Sequence, residues 1–291
     1  MPTVRDVKNL SVSFRINKEW VTAVEDVCFS VDAGETLGIV GESGCGKSVT
    51  SMSILHLLPE IISRIDHGEV LYKGRDLVPL NNREMSDIRG KEISMIFQDS
   101  MTSLNPVLTV GKQLAEAVSI HQPMPQHQAY RKALELLKQV DIPSPEKRMK
   151  EYPFQLSGGM RQRVMIGMAL AQRPSVVIAD EPTTALDVTI QAQILLLLKE
   201  LKKSSGAAIL LITHDMGVVA EMSDRIMVMY AGMVMEYGRA GDIFKDPKHP
   251  YTRGLLASIP RKDRDVETLY TIEGTVPTLQ TMPRGCRFCT R

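Results

Sequence analysis

Chemistry is concentrated in one stretch of this sequence, Gly41-Glu42-Ser43-Gly44-Cys45-Gly46-Lys47-Ser48, which fits the pattern Gly-x-x-x-x-Gly-Lys-Ser/Thr. Gly41, Gly44 and Gly46 let the backbone curl so that successive N–H groups face phosphate oxygens. A helix opening near Lys47 adds the positive end of its dipole. Lys47 is placed to reach the β- and γ-phosphates of a nucleotide, and the Ser48 hydroxyl to ligate Mg²⁺. A second centre is the acidic pair Asp180-Glu181, directly after the apolar run Val176-Val177-Ile178-Ala179. A carboxylate at such a strand end holds the metal, directly or through water, which is the role expected of Asp180. Glu181 is placed to polarise a water for attack on the γ-phosphate. An acidic pair after a strand also serves as a helix cap or turn; the phosphate loop in the same chain favours the catalytic reading. Cys45 lies near a helix N-terminus and beside Lys47, and both features favour its thiolate. Any small side chain would also serve there, because the loop works through its backbone.

These groups need strands and helices to hold them. Short apolar runs recur, each followed by a polar residue: 37–40 before the glycines, 93–97 before Gln98, 176–179 before Asp180, and 209–213 before His214. Such runs suit strands buried on both faces of a parallel sheet, with ligands at their C-terminal ends. Helical periods alternate with them. Ala129, Ala133, Leu136, Leu137 and Val140 mark one helix, and Ile190, Ile194, Leu197, Leu198 and Leu201 another. The fold class is therefore α/β. Residues 7–14, 21–29 and 68–72 read as strands of a smaller, antiparallel layer. Residues from about 99 to 152 lack strand signals and contain Pro123, Pro125, Pro143 and Pro145, which reads as a helical insertion. After Pro247 the composition changes to an appended extension.

The chain has 291 residues, with 43% apolar and 24% charged residues, which excludes disordered and low-complexity classes. Lys and Arg number 35 against 34 Asp and Glu, a net charge of +1, which argues against a general nucleic-acid binder. The longest aliphatic run, 194–198, is far short of the roughly 20 residues a membrane-spanning helix needs. The N-terminal residues lack the basic-then-apolar layout of a signal peptide. Four cysteines (Cys28, Cys45, Cys286 and Cys289) do not form a disulfide framework, so a reducing, cytoplasmic location is expected.

Leu156-Ser157-Gly158-Gly159-Met160-Arg161-Gln162-Arg163, shortly before the acidic pair, resembles the signature motif of ATP-binding-cassette (ABC) ATPases. Ser157, Gly158 and Gly159 at a helix N-terminus make a second anion site. In that family the site faces the γ-phosphate held by the opposite subunit, so two chains close two sites. The resemblance implies a P-loop NTPase (RecA-like) core with a parallel sheet, an N-terminal antiparallel β-subdomain, a helical signature subdomain and a C-terminal extension. It implies a nucleotide-binding domain over 1–246, with the helical part at about 99–163, and the extension over 247–291. It implies nucleotide contacts from Gly41, Ser43, Gly44, Cys45, Gly46, Lys47, Ser48 and Val49, and Mg²⁺ ligation by Ser48, Gln98 and Asp180. Gln98 resembles the Q-loop glutamine, Ala185-Leu186-Asp187 the D-loop, and His214 the switch histidine that bridges the γ-phosphate and Glu181. Phe14 falls where the family carries an aromatic that stacks on adenine; a core strand aromatic is the plainer alternative.

The resemblance reaches one branch of the family. Residues 97–106, the His249-Pro250-Tyr251 segment and residues 272–277 resemble the D-type ATPase subunits of dipeptide and oligopeptide importers, a branch shared with nickel and glutathione importers. This implies an ATPase that powers solute uptake from the cytoplasmic face of the cell membrane, held there as a peripheral protein. Its implied partners are a second ATPase subunit (an F-type paralogue or a second copy), two transmembrane permeases and, indirectly, an extracytoplasmic solute-binding protein, with no nucleic acid. The alternatives are a nickel or glutathione importer ATPase and a non-transport ABC ATPase. Cys286 and Cys289 resemble the start of a cysteine-rich tail that ligates [4Fe–4S] in some members, or an adventitious Zn²⁺ site. Two thiols fall short of that cluster's usual set, so it is expected only in a longer chain: either this one stops inside the motif or the protein lacks it.

Overall fold

A computed structural model of the chain describes residues 3–99, 103–184, 186–259 and 270–291. In chain order these form strands β1 (Thr3–Ile16), β2 (Glu19–Asp32) and β3 (Thr36–Val40), helix α1 (Lys47–Ile54), and strands β4 (Ser63–Tyr72) and β5 (Arg75–Asp76). There follow α2 (Asn82–Ser86), β6 (Ile93–Ile96), α3 (Val110–Ser119), α4 (Gln126–Gln139), α5 (Pro145–Arg148) and α6 (Gly158–Leu170). The remainder is β7 (Val176–Asp180), α7 (Val188–Ser205), β8 (Ala208–Ile212), α8 (Met216–Met222), β9 (Arg225–Tyr230), β10 (Met233–Arg239), α9 (Ala240–Lys245) and α10 (Pro250–Ala257). The chain divides into two compact units, Met1–Asn81 with Leu210–Arg291, and Asn82–Ile209.

In the first unit an antiparallel sheet runs β2-β1-β4-β5. Its buried face changes register midway. Val7 faces inward, but so do Leu10 and Val12, because Asn9 takes a left-handed conformation (φ 48°) and inserts one extra residue. Asp26 (φ 48°) does the same in β2, between buried Val24 and buried Val27. The matched bulges keep the apolar residues of both strands on one face. The second sheet of this unit runs β10-β9-β3 and on to the end of β8. β3 pairs parallel with β9, Leu37 opposite Arg225 and Val40 opposite Val228. Every residue of β3 is buried, as expected of a strand covered on both faces.

The extension packs on the β9–β10 hairpin. Tyr230 and Tyr251 are fully buried, with ring centroids 4.6 Å apart, and Phe288 meets both at 5.3 and 5.4 Å. Each such aromatic pair contributes about 0.5–1.5 kcal/mol beyond its burial. Ile272, Val276 and Met282 complete this cluster, which ties the last residues of the chain to the strand that flanks β3.

In the second unit β6 pairs parallel with β7, Ile93 opposite Val176 and Ile96 opposite Ala179. Ala208, at the start of β8, donates its N–H to the Ser175 carbonyl at 2.9 Å. The expected periodicities appear as helices: Ala129, Ala133 and Leu137 are the buried residues of α4, and Ile194, Leu197 and Leu198 are among those of α7. Gly206 ends α7 in a left-handed conformation. Strands β5, β9 and β10 were not expected: β5 is only two residues long, and 225–239 holds no chemistry-bearing residue at its end to draw attention. Among the described residues no helix is long and apolar enough to cross a membrane.

Candidate functional site

In the first unit the chain leaves β3 and turns sharply at Gly41. A Cβ there would lie 2.1 Å from the Met229 carbonyl oxygen, so only glycine fits. Gly46 precedes α1 with φ 103°, a conformation an L side chain rarely adopts. The loop between them carries Ser43 and Gly44 exposed to solvent, with Ser48 and Val49 half-buried at the helix start. Lys47 is 5% exposed, and its ammonium donates to the carbonyls of Gly41 at 2.7 Å and Glu42 at 3.0 Å. The cation is thus held over the loop by the loop's own backbone. Gly232, in the β9–β10 turn, donates its N–H to the Cys45 carbonyl at 2.9 Å and supports the loop from behind.

Cys45 corrects one expectation. Its side chain is fully buried, and burial pushes its thiol pKa up, against the opposing pull of the Lys47 charge. Desolvation outweighs the neighbouring cation, so the thiol form is favoured rather than the thiolate. Phe14 is half-buried in β1, opposite Val21 of β2 and Ser63 of β4. His214 follows β8 and is exposed; next to it Asp215 caps α8, accepting from the N–H groups of Gly217 and Val218 at 2.8 and 3.2 Å.

In the second unit Asp180 ends β7 and is 2% exposed. Glu181 follows in a left-handed backbone conformation, φ 46°, which costs energy for a non-glycine residue. Its Oε2 accepts from the Gln98 amide nitrogen at 2.9 Å and from the Thr184 hydroxyl at 2.8 Å. Two donors on one oxygen orient the carboxylate. Gln98 was expected at Mg²⁺ and water rather than on Glu181; Thr184 was not singled out, although its place three residues after an acidic residue at a strand end is a usable signal.

The signature segment forms the start of α6. Ser157 caps it, accepting from the Met160 N–H at 3.3 Å, with Gly158 and Gly159 in the first turn. A Cβ on Gly159 would meet Ile190 at 2.7 Å, so α6 and α7 approach closely there. Asp187 caps α7, accepting from the Ile190 N–H at 2.9 Å. Arg163, 8% exposed, anchors α6 by donating to the Val140 carbonyl at 2.8 Å and to Gln193 at 2.6 Å. Ala185 and residues 100–102 lie outside the described residues.

Oxygen donors suit a hard divalent cation such as Mg²⁺, and the Ser48 hydroxyl, the Gln98 amide and the Asp180 carboxylate are of that kind. Cys286 and Cys289 are exposed. Two thiols do not fit a [4Fe–4S] cluster, which takes four, and among the described residues no group of three or more His, Cys, Asp and Glu could hold a metal ion. Residues of the extension reach the phosphate loop through Glu42. Sequence separations of 209 and 249 residues hid that from sequence reading.

A glycine-built loop closed over its own lysine, and a strand-end glutamate oriented by an amide and a hydroxyl, define a P-loop nucleotide-binding cassette. The chain belongs to the ABC transporter family: that family's pattern matches residues 24–184. The pattern of the oligopeptide/dipeptide transporter C-terminal region matches residues 235–291. It is an ABC-type ATPase and binds ATP. It is 54% identical to the dipeptide transport ATP-binding protein DppD of Bacillus subtilis (strain 168), over 100% of this chain and 87% of that protein. The oligopeptide transport ATP-binding protein OppD of the same organism is 54% identical over 98% of this chain and 80% of its own length. Among solved structures, the dimeric post-hydrolysis state of the ATP-binding cassette MJ0796 bound to ADP and Pi superposes with a TM-score of 0.73 at 30% identity. That likeness covers 81% of this chain and 98% of the cassette.

Proposed function

We propose that this chain is the ATP-hydrolysing subunit of an importer that carries di- or oligopeptides across the cell membrane. The likeness to dipeptide and oligopeptide transport ATP-binding proteins, over 98% or more of this chain, carries this reading. Lys47 and the N–H groups of residues 41–48 hold the triphosphate. Ser48, Gln98 and Asp180 would hold Mg²⁺, which would neutralise phosphate charge. Glu181 takes the proton of the attacking water, and Gln98 and Thr184 keep its carboxylate aimed. His214 contacts the γ-phosphate side. Ser157, Gly158, Gly159 and Asp187 face the nucleotide of a second ATPase subunit, and Phe14 packs on the adenine. Closure and reopening of the pair follow the different affinities of its two states for ATP.

The second unit offers a place for a permease. A groove of about 560 Å³ is lined by Asn105, Leu108, Ile120, His121 and Met168, among others. Ile120 on it is 65% exposed and nearby Val107 is 75% exposed, an apolar surface suited to a short permease helix on the cytoplasmic face. The experiment is affinity purification of this chain from membranes in mild detergent. Two integral-membrane permeases and a second ATPase subunit are expected to co-purify. Recovery with DNA or ribosomes and no permease would overturn the reading.

A further inference from the structure

Glu42 puts a carboxylate in a loop that binds a polyanion, and a carboxylate there repels a triphosphate. The extension holds it. Arg291 donates to the two carboxylate oxygens of Glu42 at 2.6 and 3.3 Å, with its own side chain only 4% exposed. Arg291 is itself fixed by donating to the carbonyls of Ile272 at 3.0 Å and Glu273 at 2.6 Å. The Glu42 N–H donates to the hydroxyl of Tyr251 at 2.9 Å, and Tyr251 is fully buried in the aromatic cluster. The Glu42 carbonyl accepts from Lys47. One residue of the phosphate loop is therefore held at its N–H and side chain by the extension, and at its carbonyl by the phosphate-binding lysine. A parallel contact runs behind the loop. Buried Arg287 donates to the Ala231 carbonyl and pairs with Glu25, beside the turn where Gly232 supports Cys45.

We infer that the C-terminal extension sets the affinity of the phosphate loop for ATP, with Arg291 neutralising Glu42 and Tyr251 orienting its peptide. Both are positioning residues, acting on the nucleotide through Glu42. The coupling is reciprocal: ATP in the loop stabilises docking of the last residues as much as their docking favours ATP. The inference rests on assignment of residues 41–48 as the ATP-binding loop, and the test separates the two.

The test is equilibrium titration of the full chain with a fluorescent ATP analogue and Mg²⁺, with melting temperature followed in parallel. Wild type binds and Lys47→Ala loses affinity; absence of wild-type binding would sink the loop assignment itself. With that secured, Arg291→Ala is expected to raise Kd about five- to twentyfold. Tyr251→Phe, which keeps the ring in its cluster, raises it about two- to fivefold. Glu42→Gln removes the charge that Arg291 answers, so Arg291→Ala in that background should shift Kd by less than about twofold. Amide exchange in residues 286–291 should slow when wild type is saturated with the analogue. An unchanged Kd for Arg291→Ala would overturn the inference. So would an equal loss in the Glu42→Gln background, which would reduce Arg291 to a general structural role. ATP-independent exchange in residues 286–291 would also overturn it.

Discussion

The two ends of the chemistry are built in opposite ways. The phosphate loop is set by backbone: Gly41 fits only as glycine against Met229, Lys47 is buried on loop carbonyls, and a hairpin and the extension lie behind it. The acidic strand end is set by side chains: Glu181 is aimed by exposed Gln98 and Thr184, one hydrogen bond each. Backbone held in a packed core changes little, whereas exposed side chains reorient at small cost. On the proposed function, binding is thus the preformed half of the cycle, and hydrolysis is the half left to adjustment.

The contrast makes distinct demands on variants. The largest effect belongs to Glu181→Gln, which should lower ATP turnover by about 10²–10⁴-fold while leaving nucleotide affinity unchanged, read by phosphate release beside a binding titration. Lys47→Ala should do the reverse, weakening nucleotide affinity by about thirtyfold or more in the same titration. If the two variants exchanged these patterns, the division between a binding half and a hydrolysing half would fail. A smaller loss, about three- to tenfold in kcat with KM unchanged, is expected of Thr184→Val, because one of two hydrogen bonds to Glu181 remains. Steady-state kinetics would show it, and an effect on KM alone would move Thr184 to the binding half.

The smallest effect concerns the extension. His249 caps α10, its Nδ1 accepting from the Tyr251 N–H at 3.1 Å, which requires a neutral ring. Burial lowers its pKa, with Glu236 opposing. A group whose folded pKa is depressed is neutral in the fold and takes up a proton more readily when unfolded. The stabilisation is therefore full above a pH of about 6.5 and lost as pH falls below it. His249→Asn keeps an acceptor that does not titrate. Between neutral and mildly acidic pH the wild type should lose about 1–3 °C more of melting temperature than this variant.

Most of this was legible before the fold. The four apolar runs ending at Gly41, Gln98, Asp180 and His214 are strands β3, β6, β7 and β8, because strands buried on both faces write themselves as continuous apolar sequence. The phosphate loop was readable because its geometry admits few residues. What escaped was set by tertiary contact. The thiol of Cys45 follows its burial rather than its neighbour Lys47. The bulges at Asn9 and Asp26 shift the buried face without any mark beyond two polar residues. Arg291 and Tyr251 meet Glu42 from the far end of the chain, a pairing that no local pattern encodes.

The central claim is that ATP hydrolysis by this chain drives peptide uptake. Its most direct test is uptake of a labelled dipeptide by cells lacking only this subunit, complemented with wild type or with Glu181→Gln at equal expression. Wild type is expected to restore uptake, and Glu181→Gln to leave it at the background of the deletion. Uptake that persists without the subunit, or that Glu181→Gln restores in full, would contradict the account.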